Sequence, residues 1–83
     1  SATGISAERG FMLFDLAEAR FARAILKRAA RSIVAADNRK FSRIAPVSLG
    51  DPRQVSMIVC DAPPPEGIAA AARIWGTTIR VAP

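Results

Sequence analysis

The sequence predicts an α/β fold: a mostly parallel sheet of about three to four strands with covering helices. Three observations lead there. Two short apolar runs, Ser32 to Ala36 and Val55 to Cys60, have strand length and no polar alternation, and each ends in an acid, Asp37 and Asp61. Segments of helical periodicity separate the strand-like runs, which argues for parallel strands joined by right-handed crossovers and covered on both faces. At 83 residues the chain is one domain or part of one, with a proportionally small core.

Ser1 to Gly10 mixes glycine, small and polar residues without periodicity and reads as a loop. Asp15 then opens a helix expected over about Leu16 to Arg31. Glu18 stands where a capping box requires it, and no Gly or Pro follows until Pro46. At about 100° per residue, Phe21, Ala22, Ile25, Leu26 and Ala29 share one side and Arg20, Arg23, Lys27 and Arg31 the other, the pattern of an amphipathic covering helix. Glu18 falls in the middle of the apolar side. A carboxylate there needs a partner, so it either turns back to the N–H groups of the first turn, the favoured reading, or faces a polar pocket at the strand ends.

Ile33 to Ala36 is the first strand, followed by a loop through Asp37 to Phe41. An extended stretch from about Ile44 to Leu49 holds Pro46 and is placed at a sheet edge. Asp51 and Pro52 open a single helical turn, and Val55 to Cys60 is the second strand. Pro63, Pro64 and Pro65 set the start of a second helix, whose Ile68, Ala71, Ala72 and Trp75 form one face before Gly76 ends it. Thr78 to Val81 is the third strand.

The net charge of +5, from 12 Lys and Arg against 7 Asp and Glu, suits an anionic partner without identifying it. The chain has no histidine and one cysteine, Cys60, so disulfides, His or Cys metal sites and a Ser-His-Asp triad within it are excluded. Cys60 reads as a reduced core thiol. No charged-then-apolar leader and no membrane-length apolar stretch is seen, so a soluble cytoplasmic protein is expected, with no cofactor. The basic stripe reads as a solvated helix face in preference to a DNA surface, and Trp75 and the four phenylalanines as packing.

Carboxyl ends of parallel strands are where α/β sheets bind small ligands. Asp37, Asp61 and Lys40 therefore face one crevice in this reading, lysine meeting a phosphate or oxyanion and the aspartates accepting from hydroxyls or holding the lysine. The plainer alternative has Asp37 and Asp61 capping turns and Lys40 solvated.

The succession GISAERG, an EAR segment opening a helix that runs into KRAARSIVAAD, then DNRKF and MIVCDA with PPPEGI behind it resembles the C-terminal half of the effector-sensing domain of DeoR-family bacterial repressors. The family pattern is a Gly-Ile/Val-Ser loop, a Glu-Ala helix start, an Asp-Ser-Ser-Lys-Phe-Gly segment and a Thr-Asp strand end. Here stand Gly4, Ile5 and Ser6; Glu18 and Ala19; Asp37, Lys40 and Phe41; and Asp61. Asn38 and Arg39 replace the two serines, Ser42 the glycine and Cys60 the threonine.

The resemblance implies a fragment of a larger Rossmann-like, sugar-phosphate isomerase-like domain turned from catalysis to sensing. Residues 1–83 would be the C-terminal part of one sensor domain, with a winged helix-turn-helix and the upstream sensor half lying outside it. A phosphorylated sugar would relieve operator binding through a homo-oligomer, DNA being touched only by the absent domain. By position, Lys40 would contact the ligand, Asp37 would orient Lys40, Gly4 and Ser6 would line the loop, and Glu18 would approach the sugar, with Asp61 beside them. The competing function is a sugar-phosphate isomerase fragment with Asp37 or Glu18 as base and Lys40 stabilising an enediolate. A third is a basic adaptor without a small ligand. Missing strands would leave an open sheet edge, so the isolated chain is expected to self-associate.

Overall fold

The structure is a computed structural model and describes residues 2–83; Ser1, the first residue of the expected opening loop, lies outside the described residues. Two three-stranded sheets share one core. The antiparallel sheet has β1 (Gly4–Ser6), β2 (Gly10–Leu13) and β4 (Val47–Ser48), with β2 in the centre. The parallel sheet has β3 (Ile33–Ala36), β5 (Met57–Cys60) and β6 (Thr78–Val81), with β5 in the centre. Helices α1 (Leu16–Arg28) and α2 (Glu66–Trp75) complete the architecture. The expectation of a mostly parallel sheet thus holds for one sheet of the two.

The expected opening loop is instead a hairpin in which Ile5 pairs with Phe11 and Gly4 with Met12. Strands of three and four residues carry too few positions for a period to show. Burial makes up the difference, since Ile5, Phe11 and Met12 are at most 1% exposed. Each such side chain is worth about 1.5–3 kcal/mol. Val47–Ser48 is an edge strand as expected, and Asp51 caps the turn Pro52–Gln54 through the Arg53 N–H.

In β3 and β5 alternate residues point into the core: Val34, Ala36, Ile58 and Cys60 are buried, while Ile33 and Ala35 are exposed and Met57 and Val59 half-buried. The parallel sheet is therefore covered on one face, and not on both as its composition suggested. The covered face meets Ile5, Phe11 and Leu13 of the hairpin and Ile68 of α2, with Phe11 and Trp75 in a tilted aromatic pair at 5.6 Å. Helix α1 begins as expected but stops at Arg28, three residues early, because Ala29 turns extended to lead into β3. Helix α2 ends where Gly76 takes φ 75°, a left-handed position that glycine adopts without strain.

The two sheets meet at Gly4. Ser42 N–H donates to the Ile5 carbonyl at 2.7 Å, and Ile5 bridges Phe41 in parallel sense. A Cβ placed on Gly4 would lie 2.1 Å from the Arg43 carbonyl oxygen, so only glycine permits this approach. Gly4→Ala is expected to cost at least about 2 kcal/mol in urea unfolding, because both clashing atoms are tied to backbone. Ser42, where the family pattern has glycine, sits at φ 67°. Ser42→Gly should leave stability unchanged or raise it by up to about 1 kcal/mol, and a loss would show that the hydroxyl is needed.

Candidate functional site

The carboxyl ends of β3 and β5 open into a shallow cleft of about 400 Å³ lined by Ala36, Asp37, Lys40, Cys60, Asp61 and Ala82 among others. Asp37, Lys40 and Asp61 are thus brought together, as parallel pairing of Ala36 with Cys60 requires. Asp37 follows β3 with extended backbone and its carboxylate accepts from the Arg39 N–H, which starts the 3₁₀ turn Asn38–Lys40. That turn swings Lys40 back over the strand end. Asp61 Oδ1 accepts from the Asn38 N–H at 2.7 Å and so ties the end of β5 to the same turn.

Asp37 does not hold Lys40. Its two oxygens take Nε and Nη2 of Arg39, each at 3.1 Å, a two-pronged ion pair. Arg39 holds the Asp37 carboxyl below the usual carboxylate range, first through the side-chain hydrogen bond and then through its backbone N–H. Among the described residues the Lys40 ammonium has no ion-pair partner, the pairs being Arg39 with Asp37, Arg53 with Asp51 and Arg73 with Glu66. Both carboxylates are engaged with the turn itself, and Arg39 neutralises Asp37, while Lys40 and Asp61 keep charges of opposite sign with no ion-pair partner among the described residues. Cys60 forms part of the floor, its thiol pushed up by burial and therefore poorly nucleophilic.

The other three expected residues lie elsewhere. Glu18 is exposed and lines an apolar groove between α1 and the start of β3. It does not complete a capping box: the first turn is capped by Asp15, which accepts from the Ala17 N–H. Ser6 is buried, its Oγ accepts from the Arg9 N–H, and it borders a separate depression of about 290 Å³ beside Ser42 and the start of α2. Gly4 serves the sheet junction.

Two arginines that sequence reasoning passed over matter for shape. Arg9 reaches the carbonyls of Ala45 and Pro46 and the Ser48 hydroxyl, and Arg23, assigned to a solvated stripe, donates to the carbonyls of Ser48 and Leu49. Their partners, all but one of them backbone carbonyls, lie 25 to 39 positions away, so no local signal marks them. Arg39 had one signal, its replacement of a serine in the family pattern.

The sequence model described as the DeoR C terminal sensor domain matches residues 1–62. The chain belongs to the DeoR sensor-domain family. It is similar to the glycerol-3-phosphate regulon repressors of Escherichia coli (strain K12) and Shigella flexneri, 33% identical to each over 66 residues. That match takes in 80% of this chain and 26% of each relative, so the chain spans about a quarter of their length. Within the DeoR sensor domain the matched region holds the whole turn Asn38–Lys40 and both strand-end acids. The family and the repressor relatives give the chain a regulatory, sensing character. No helix among the described residues is long and apolar enough to cross a membrane.

Because Asp37 and Asp51 ionise more readily in the folded chain than in an unfolded one, their contribution to stability is complete near neutral pH and is lost as pH falls through the acid range. Asp37→Asn is expected to lower stability at pH 7 and to bring the difference from wild type toward zero near pH 2, read by urea unfolding at both values. A difference that persists at low pH would refute the ion-pair account. Cys60 should alkylate with iodoacetamide many times more slowly in the folded protein than in urea.

Proposed function

We propose that the chain is the C-terminal part of a longer effector-sensing repressor, that its strand-end cleft takes the anionic group of a phosphorylated sugar or polyol, and that occupancy relieves operator binding by a DNA-binding domain outside these residues. The observation carrying this reading is the unpaired Lys40 ammonium at the carboxyl ends of parallel strands, in a chain of a sensor-domain family. Lysine presents a compact, mobile cation that matches a phosphate without demanding a planar partner. Asp37 and Asp61 hold the turn that carries Lys40 and offer remaining lone pairs to ligand hydroxyls. Gly4 and Ser6 shape the surrounding scaffold, and Glu18 lies outside the cleft. The relatives' printed names, repressors of a glycerol-3-phosphate regulon, favour a small phosphorylated polyol among the candidates.

A sheet related to sugar-phosphate isomerases accounts for the cleft's position in this proposal. Catalysis is not supported at Asp37, whose carboxylate is ionised and occupied by Arg39 and so is a weak base. For sensing, the ligand must bind one state of a homo-oligomer better than another. The intact protein should gain thermal stability with glycerol 3-phosphate or another member of a sugar-phosphate panel, because a ligand bound only by the folded state raises its melting temperature. Lys40→Ala should abolish the shift. An undiminished shift in that variant would remove Lys40 from the site.

A further inference from the structure

Asp37 has two cations within the turn that it caps, Arg39 and Lys40, and it bonds only Arg39. In a 3₁₀ turn side chains three positions apart stand over one another, as Asp37 and Lys40 are spaced. Both line the strand-end cleft, while Arg39, its side chain 78% exposed, is not among the lining residues. The Lys40 charge already reaches Asp37. The hydrogen bonds from Arg39 do most to hold the Asp37 carboxyl below its usual range, and the field of Lys40 adds the last part.

Occupancy keeps the two apart. Oδ1 of Asp37 takes the Arg39 N–H at 2.9 Å and Nε at 3.1 Å, and Oδ2 takes Nη2 at 3.1 Å. A guanidinium fork meets both carboxylate oxygens at once, whereas an ammonium offers a single point of contact, so arginine holds the carboxylate in direct competition. A serine at this position, the residue of the family pattern, would bring one short hydroxyl and no charge. Asp37 would then have Lys40 as the one cation of its turn. The other carboxylate of the cleft, Asp61, spends Oδ1 on the Asn38 N–H.

We propose that Arg39 is a positioning residue for the anion site: by taking both Asp37 oxygens it keeps that carboxylate from capturing Lys40, and the ammonium stays open to an anion entering the cleft. The inference deepens the sensing proposal and rests on its reading of the cleft. Arg39 acts here through Asp37 and not by touching the ligand. An anion that binds Lys40 therefore has no internal ion pair to break, a competition that an exposed pair would set at about two- to fivefold.

Acetylation of the intact protein by a water-soluble succinimidyl ester, read residue by residue by peptide mass spectrometry, tests this without a ligand. Arg39→Ser keeps the N–H that caps the turn and should slow Lys40 about two- to fivefold, because a carboxylate that pairs with an ammonium withholds the free amine. Lys27, on α1, should not change. Adding Asp37→Asn to Arg39→Ser should restore the wild-type rate at Lys40. Arg43→Ser removes a positive charge three positions from Lys40 and leaves the Asp37 pair in place, so it should have no effect. Asp61 is common to every variant, and its pull on Lys40 cancels in the comparison. An unslowed Lys40 in Arg39→Ser, slowing that persists in the double variant, or equal slowing by Arg43→Ser overturns the proposal.

Inorganic phosphate should shield Lys40 from acetylation at a concentration about two- to fivefold lower in the wild type than in Arg39→Ser. Equal shielding in the two overturns the positioning role. Shielding in neither counts against the sensing proposal, whereas the phosphate-free rates decide by themselves whether Arg39 keeps Asp37 from Lys40, so the two failures are distinguishable.

Discussion

Much of this structure depends on the close passage of Gly4 past the Arg43 carbonyl. A side chain at that point would push β1 off the segment after β3, and the Ser42 to Ile5 hydrogen bond would open with it. Through that contact the antiparallel hairpin is fastened to the parallel sheet, and Ile5 and Phe11 become the lid over Val34 and Ile58. Both three-stranded sheets contribute buried side chains to the same cluster. Their joining makes one core. The same contact sets the path of residues 41–43, and with it the far end of the turn that carries Lys40.

The cleft illustrates how a polar site is built with little burial. Asp37 and Asp61 each accept a backbone N–H from the turn Asn38–Lys40, so both acids are spent on shaping the loop. Arg39 then covers the remaining oxygen of Asp37. Exposed pairs of this kind contribute little to stability, but they do decide which charges remain for a ligand. Lys40 and Asp61 remain, so the cleft offers a ligand one cation beside one carboxylate.

Legibility followed the range of the interactions. Asp15 and Gly76, which cap helices, and the strands Ile33–Ala36 and Thr78–Val81 were readable because capping and apolar runs are local. So was the convergence of Asp37, Lys40 and Asp61, since parallel pairing places successive strand ends together. The hairpin Gly4–Leu13 was not readable, its strands being shorter than the window in which alternation can be recognised. The wheel put Glu18 on the apolar side and favoured capping over a polar pocket at the strand ends, and neither follows, because the wheel gives direction about an axis and not where that axis points. The wheel also placed Phe21 in a core, whereas α1 packs chiefly on β2 and β4 and leaves it exposed.

By itself the sequence determined the order of elements from α1 onward, the caps at Asp15 and Gly76, and the three charged residues at the strand ends. Those follow from backbone preferences and side-chain periods that act within a few residues. Only the tertiary structure decided that there are two sheets, that the parallel one is covered on a single face, that Arg39 and not Lys40 holds Asp37, and that Arg9 and Arg23 grip the backbone around β4. Each of these is a contact whose geometry is set by the meeting of distant segments, or a choice between two neighbouring cations made by the direction of a single turn. Neither leaves a trace in local composition.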